Sequence, residues 1–272
     1  MSKSSSKSLG ILRNRLSMTQ AHMDIVDVAL VSVEEVAERS RSTGQSLGEA
    51  LSLPKGYHKR IKLKANNYRQ ITNHARARNA ELVIQMLYTY FTEYLRSILH
   101  EMYDKKPLEI VDKAHSSLKF HEIVQFGSYD AICNYMVDYV FRSLESQRST
   151  QGLLEKILEK TDVKVDSSIL QPAIMYMEMR HLYVHNSGVV DVKFERNFGA
   201  LVSDKAGRKF NSSIGRSRAA IKAIERLCSE VDKGLTAKGY LTPTSQTAIE
   251  TEPETAEEVS VLKSNDESSL IA

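Results

Sequence analysis

Arg180, His181, His185 and Asn186 fall within the seven positions Arg180-His181-Leu182-Tyr183-Val184-His185-Asn186. The combination suits an anion, and a phosphodiester above all. Arginine presents a permanent cation in a planar fork of donors that matches phosphate oxygens. Histidine titrates near neutral pH and can give or take a proton. The run ahead of them is helical and apolar on one side, through Ala173, Ile174, Met177, Leu182 and Val184. Asn186-Ser187-Gly188 then supplies a stop, because Gly and Asn accept the left-handed conformation that closes a helix. His185 therefore sits in or just past the last turn, where the carbonyl ends favour an imidazolium.

RNA carries its own nucleophile, the 2′-hydroxyl beside the scissile phosphate. Cleavage needs a proton acceptor for that hydroxyl, a proton donor for the leaving 5′-oxygen and positive charge on the non-bridging oxygens. His185 fits the acid/base role and Arg180 the phosphate clamp, with no metal or other cofactor. Helix geometry sets a condition, since positions five apart point about 140° away from each other. The two converge if the arginine reaches round, if the helix loosens at Asn186, or if a second copy faces the first. Duller readings stand beside this one: Arg180 as a salt-bridged helix arginine, His185 as a cation on the helix dipole, Asn186 and Gly188 as capping residues. Zinc is the rival chemistry, because His181 and His185 are spaced i, i+4 and Glu178 lies one turn earlier. Position 182 is leucine, however, so the general-base glutamate of H-E-x-x-H is missing. Phosphate-loop, dinucleotide-fold and serine-elbow motifs are absent.

The stretch from Arg180 to Asp191, with His185-Asn186, Gly188-Val189-Val190-Asp191 and then Lys193-Phe194, resembles the R-x4-6-H signature of HEPN domains, of the RiboL-PSP type. The residue after the arginine is often Asn in that group, and here it is His181. The resemblance spans roughly residues 79–200. It implies an all-α antiparallel helical bundle, metal-independent endoribonuclease activity leaving 2′,3′-cyclic phosphate ends, and a homodimer with one composite site. It also implies a supporting polar role for Asn186 and His181, a setting in phage defence or stress response, and control by an antitoxin or regulatory protein. A non-catalytic HEPN-like module that binds RNA or protein is the alternative.

The rest of the chain must position these groups. Apolar residues make up 42 % of the chain and charged residues 26 %. Those shares are ordinary for a globular protein. The net charge of +3 says little about partners, but its distribution says more. Leu51 to Ala80 holds no acid but carries Lys55, Lys59, Arg60, Lys62, Lys64, Arg69, Arg76 and Arg78, with Tyr57 and Tyr68 interleaved. Such a stretch can grip RNA by charge and stacking, or can be a solvated helix face. Residues 205–222 are also basic, whereas Glu250 to Glu267 carries seven acids and one lysine. Cys133 and Cys228 form no C-x-x-C and read as reduced, buried thiols. With no apolar run near ~20 residues and no secretory leader, a cytoplasmic protein outside the membrane is expected.

Periodicity supplies the elements. Residues 1–15 read as flexible, and Thr19 as the cap of a helix to about Ser40, with Met23, Val26, Leu30, Val33 and Ala37 inward. The segment 16–78 thus combines an N-terminal helix with the basic stretch. Asn79 to Tyr103 is strongly periodic through Val83, Leu87, Tyr90, Tyr94, Ile98 and Met102, widened by Met86, Phe91, Leu95 and Leu99. A short helix is expected at 108–114. Gly127 and Ser128 predict a turn and cap for a helix over 129–146 that buries Ile132, Tyr135, Met136, Tyr139, Val140 and Leu144. Helices over 151–159 and from Pro172 follow, Pro being suited to a first helical position. Residues 201–240 form a C-terminal helical extension, with its helix ending near Lys233, and 241–272 a disordered acidic tail.

Overall fold

The first helix starts at Lys7, not Thr19. A computed structural model describes residues 5–40, 44, 46–54, 56, 67–106, 118–146 and 150–244. In it α1 runs Lys7–Arg39, capped by the Ser6 hydroxyl, which accepts from the Leu9 N–H at 3.1 Å. Thr19 lies in the helix interior and is buried, so residues 7–15 are helix rather than a flexible lead. The cap is made by a distant contact: the Ser6 N–H donates to Asp232 Oδ2 at 3.0 Å, and the Ser6 hydroxyl donates to Oδ1. Asp232 is 1 % exposed, and burial raises its carboxyl pKa although the Ser6 bonds pull the other way. The folded chain therefore holds this proton more tightly than the unfolded chain. Stability contributed by Asp232 is greatest below the ordinary value of 3.8 and falls as pH rises past it. Asp232→Asn should remove that downward slope, read from urea unfolding across the acid range.

The remaining elements are α2 (Leu47–Ala50), α3 (Tyr68–Lys105), α4 (Phe120–Phe126), α5 (Tyr129–Ser146), α6 (Thr150–Thr161), α7 (Ser167–His185), α8 (Val192–Phe198) and α9 (Ile214–Ala237). The protein is all-α: among the described residues there are nine helices and no strand, and an isolated bridge joins Val189 to Lys209. The expected 108–114 helix lies outside the described residues. Gly127 at φ +69° and the Ser128 hydroxyl, accepting from Ala131 N–H at 3.1 Å, open α5 where the sequence places it. Its buried face is shifted by one position, to Cys133 and Val137, leaving Tyr135 and Tyr139 exposed. Val140 and Leu144 lie outside the side chains described. Three other boundaries move. The end of the basic stretch is already the start of α3. Pro172 sits inside α7, which begins instead after Asp166, whose carboxylate accepts from the Ser168 N–H at 2.7 Å. α9 continues past Lys233, and Leu241 beyond it is buried in the core, so the C-terminal extension outlasts its expected end. The acidic run of the tail lies outside the described residues.

α1 lies antiparallel to both α3 and α9. Arg76 of α3 meets Asp27 and Glu34 near the end of α1, while Arg13 near its start meets Glu225 of α9 and Asp24 meets Arg218. α3 and α9 pack on each other and lie between α1 on one side and α7 on the other. Leu87, Ile98, Met102, Met179 and Leu227 fill the space between them. Met86, expected to widen the α3 stripe, is exposed. Residues Ser5–Pro243 form one compact unit, so no domain boundary falls at 79 or 201. Burying a continuous apolar core shared by flanking and central helices is the dominant favourable term. No helix among the described residues is long and apolar enough to cross a membrane.

Candidate functional site

α7 is apolar nearly all round until its last turn. Ala173 to Met177, Met179 and Leu182 are buried, and only then do Arg180, His181 and His185 emerge on the remaining side. The helix closes where expected, with Gly188 left-handed as expected and Ser187 in place of Asn186. Asn186 has φ −128°, and the left-handed positions are Ser187 at φ +52° and Gly188 at φ +73°. The Leu182 carbonyl accepts from the N–H groups of both Asn186 and Gly188 at 2.9 Å. The Asn186 side-chain amide donates to the Val189 carbonyl at 2.7 Å, so this side chain closes the turn. Past the turn, Phe210 N–H bonds the Gly188 carbonyl and Val190 N–H bonds the Arg208 carbonyl, each at 2.9 Å. Tyr183 and Phe194 pack against Phe210 at ring-centroid distances of 5.3 and 5.0 Å. The segment that follows the motif thus fixes its end.

Arg180 lies over the Tyr88 ring of α3, its guanidinium carbon 4.3 Å from the centroid. It has no ion pair among the described residues, so a cation held on an aromatic face still offers its donors. The His181 and His185 rings are 4.5 Å apart, centroid to centroid. Arg180, His181 and His185 all border one cavity of about 640 Å³. The rim also carries Lys193, Glu178 and Asp191, and buried Phe91, Leu154 and Phe194 supply apolar wall. Asp191 caps α8 by accepting from the Phe194 N–H at 2.6 Å. The cavity thus brings aromatic and aliphatic side chains together with cationic donors and the two carboxylates of Glu178 and Asp191. Among the described residues no group of three or more His, Cys, Asp or Glu side chains is placed to hold a metal ion, so the geometry lends the zinc alternative no support.

The basic stretch divides. Lys55, Lys59, Arg60, Lys62 and Lys64 lie outside the described residues. Arg69 is exposed; its Nε donates to the Tyr68 hydroxyl at 2.9 Å and it pairs with Glu38 at 3.5 Å. Arg78 pairs with Glu81 on its own helix at 2.7 Å. Arg76 turns inward, its Nε on Asp27 at 3.0 Å and its Nη2 on Glu34 at 3.1 Å, and both groups reinforce each other's charge. Its fork ties α3 to α1 and does not face an RNA surface. Arg76→Ala should therefore cost about 1–3 kcal/mol in thermal or urea unfolding, leaving two carboxylates without their partner. RNA affinity, measured on the folded protein, should stay unchanged.

Sequence reasoning missed Tyr88 as the seat of Arg180 and Gln151 on the cavity wall. They lie on other helices, and nothing local marks them. Comparison with known proteins finds no matching family model, no matching curated protein and no matching solved structure.

Proposed function

We infer that this chain is a metal-independent endoribonuclease of HEPN-like type. The observation that carries the reading is that Arg180 and His185 border the same cavity, with Arg180 free of any ion pair among the described residues. A ribonucleotide would place its base against the apolar wall and its 3′-phosphate at the rim. The 2′-oxygen attacks phosphorus as the bond from phosphorus to the 5′-oxygen breaks. The 2′-proton goes to a base, the 5′-oxygen receives a proton, and a 2′,3′-cyclic phosphate remains. His185 serves proton transfer, with His181 beside it as the second titratable ring. Arg180 balances charge on the non-bridging oxygens. Asn186 acts by holding the turn that presents His185. Both groups border the cavity from one chain.

The test is to incubate the purified protein with mixed-sequence RNA in excess EDTA and to examine the 3′ ends produced. New ends carrying a 2′,3′-cyclic phosphate are expected. RNA retained on filters without new ends would instead establish the non-catalytic binding module. The absence of both would remove RNA from the account.

A further inference from the structure

α1 is apolar on two opposite faces. Its inner face, through Leu9, Leu12, Leu16 and Met23, is buried in the core. Directly opposite, Ile11, Met18, Ile25 and Val28 are 48, 65, 69 and 67 % exposed, with exposed Ala21 between them. Ile11, Met18 and Ile25 recur every seven residues, as do Ala21 and Val28 at the intervening position. A stripe this narrow, kept to a seven-residue repeat, is the seam that takes one further helix, where a broad core-facing face would take several. The helix is 33 residues long. At the usual rise that is about 50 Å, so the stripe can engage a partner of similar length.

We propose that the outer face of α1 pairs with α1 of a second copy, antiparallel and centred on Ala21. The charges select that partner and that direction. Lys7 and Glu35 are exposed, lie in register with the stripe and have no ion-pair partner among the described residues. They stand equally far from Ala21, two heptads before it and two heptads after it. Antiparallel pairing about Ala21 brings each Lys7 to the end of the helix that carries the partner's Glu35. Parallel pairing would set like charges together, which opposes association. The small side chain of Ala21 lets the helices approach at the twofold axis.

This dimer leaves the cavities apart. The cavity draws on α3, α6, α7, α8 and α9 and on no residue of α1, and α3 with α9 separates α1 from α7. The two copies would carry two outward cavities in place of one composite site. The pairing does not depend on RNA cleavage and stands or falls separately.

Light scattering of the full chain at micromolar concentration should give twice 30.7 kDa. Met18→Glu with Ile25→Glu should raise the dissociation constant roughly 100-fold, since two central apolar contacts are replaced by buried charge. Both positions are exposed within the protomer, so helix content by circular dichroism should not change. On oxidation, Ala21→Cys should link two chains and Lys7→Cys should not, with the native Cys133 and Cys228 buried. A monomeric parent chain, a glutamate variant that stays dimeric, or equal linking at both cysteines would overturn the proposal.

Discussion

On the proposed nuclease reading, His185→Ala should lower EDTA-resistant RNA cleavage by about 10²–10⁴-fold, the usual contribution of a positioned proton-transfer group. The expectation is specific because His185 is exposed and contributes nothing to the core. Its melting temperature should match that of the parent chain, which separates lost chemistry from lost fold. Arg180→Ala should cost about 10²–10³-fold by removing charge from the non-bridging oxygens. Arg180→Lys should recover only part of that, because an ammonium keeps the charge but not the planar fork or its stacking on Tyr88. His181→Ala reads the share of the second ring, which lies 4.5 Å from His185. Equal cleavage by the parent chain and His185→Ala would end the nuclease reading. If both variants of the pair fall together without a change in filter-bound RNA, the loss belongs to the chemical step.

The site was legible where its signal is local and hidden where it is not. Arg180, His185 and the stop after them can be read from a handful of neighbouring residues. So can the opening of α5, because Gly127 and Ser128 act within one turn. Tyr88 could not be read, since it lies far back in the chain from Arg180 and looks like any other aromatic on a long helix. The start of α1 was hidden for the same reason: Ser6 is one serine among several until Asp232, 226 residues away, receives both of its donors. Pro172 misled by its type. It lies past the first turn of α7, so its missing N–H leaves the Ser168 carbonyl without the usual helical bond. The faces of α1 and α5 were blurred because each helix carries apolar residues on more than the side that meets the core. Periodicity reports that a helix is amphipathic, while the choice of buried side belongs to the neighbours. Arg76 shows the limit most plainly, since a run of cations reads as an anion-binding surface until Asp27 and Glu34 of α1 are placed against it.

Gly188→Ala should destabilise the protein by about 2–4 kcal/mol, a fall of roughly 5–15 °C in melting temperature for a chain of this size. Two penalties combine at this position. The backbone is left-handed, with φ +73°. That conformation costs a residue with a Cβ about 1–2 kcal/mol. The added Cβ would also lie 2.9 Å from a Tyr183 ring carbon, and that ring cannot retreat freely. Phe210 packs against it at 5.3 Å and its hydroxyl is 2.9 Å from Ser212 Oγ. Cleavage should fall along with stability, because the turn that Gly188 closes through the Leu182 carbonyl begins one residue after His185. Repeating the substitution in a Tyr183→Ala background separates the two penalties. The ring contact is then gone, and Gly188→Ala should cost only the backbone share of about 1–2 kcal/mol. Ser187→Gly is the control of opposite sign, since the φ of +52° there is already unfavourable for serine. Glycine at that position should be neutral or stabilising by no more than about 1 kcal/mol. If Gly188→Ala melts with the parent chain, the turn tolerates a side chain and the rigid presentation of His185 loses its structural basis.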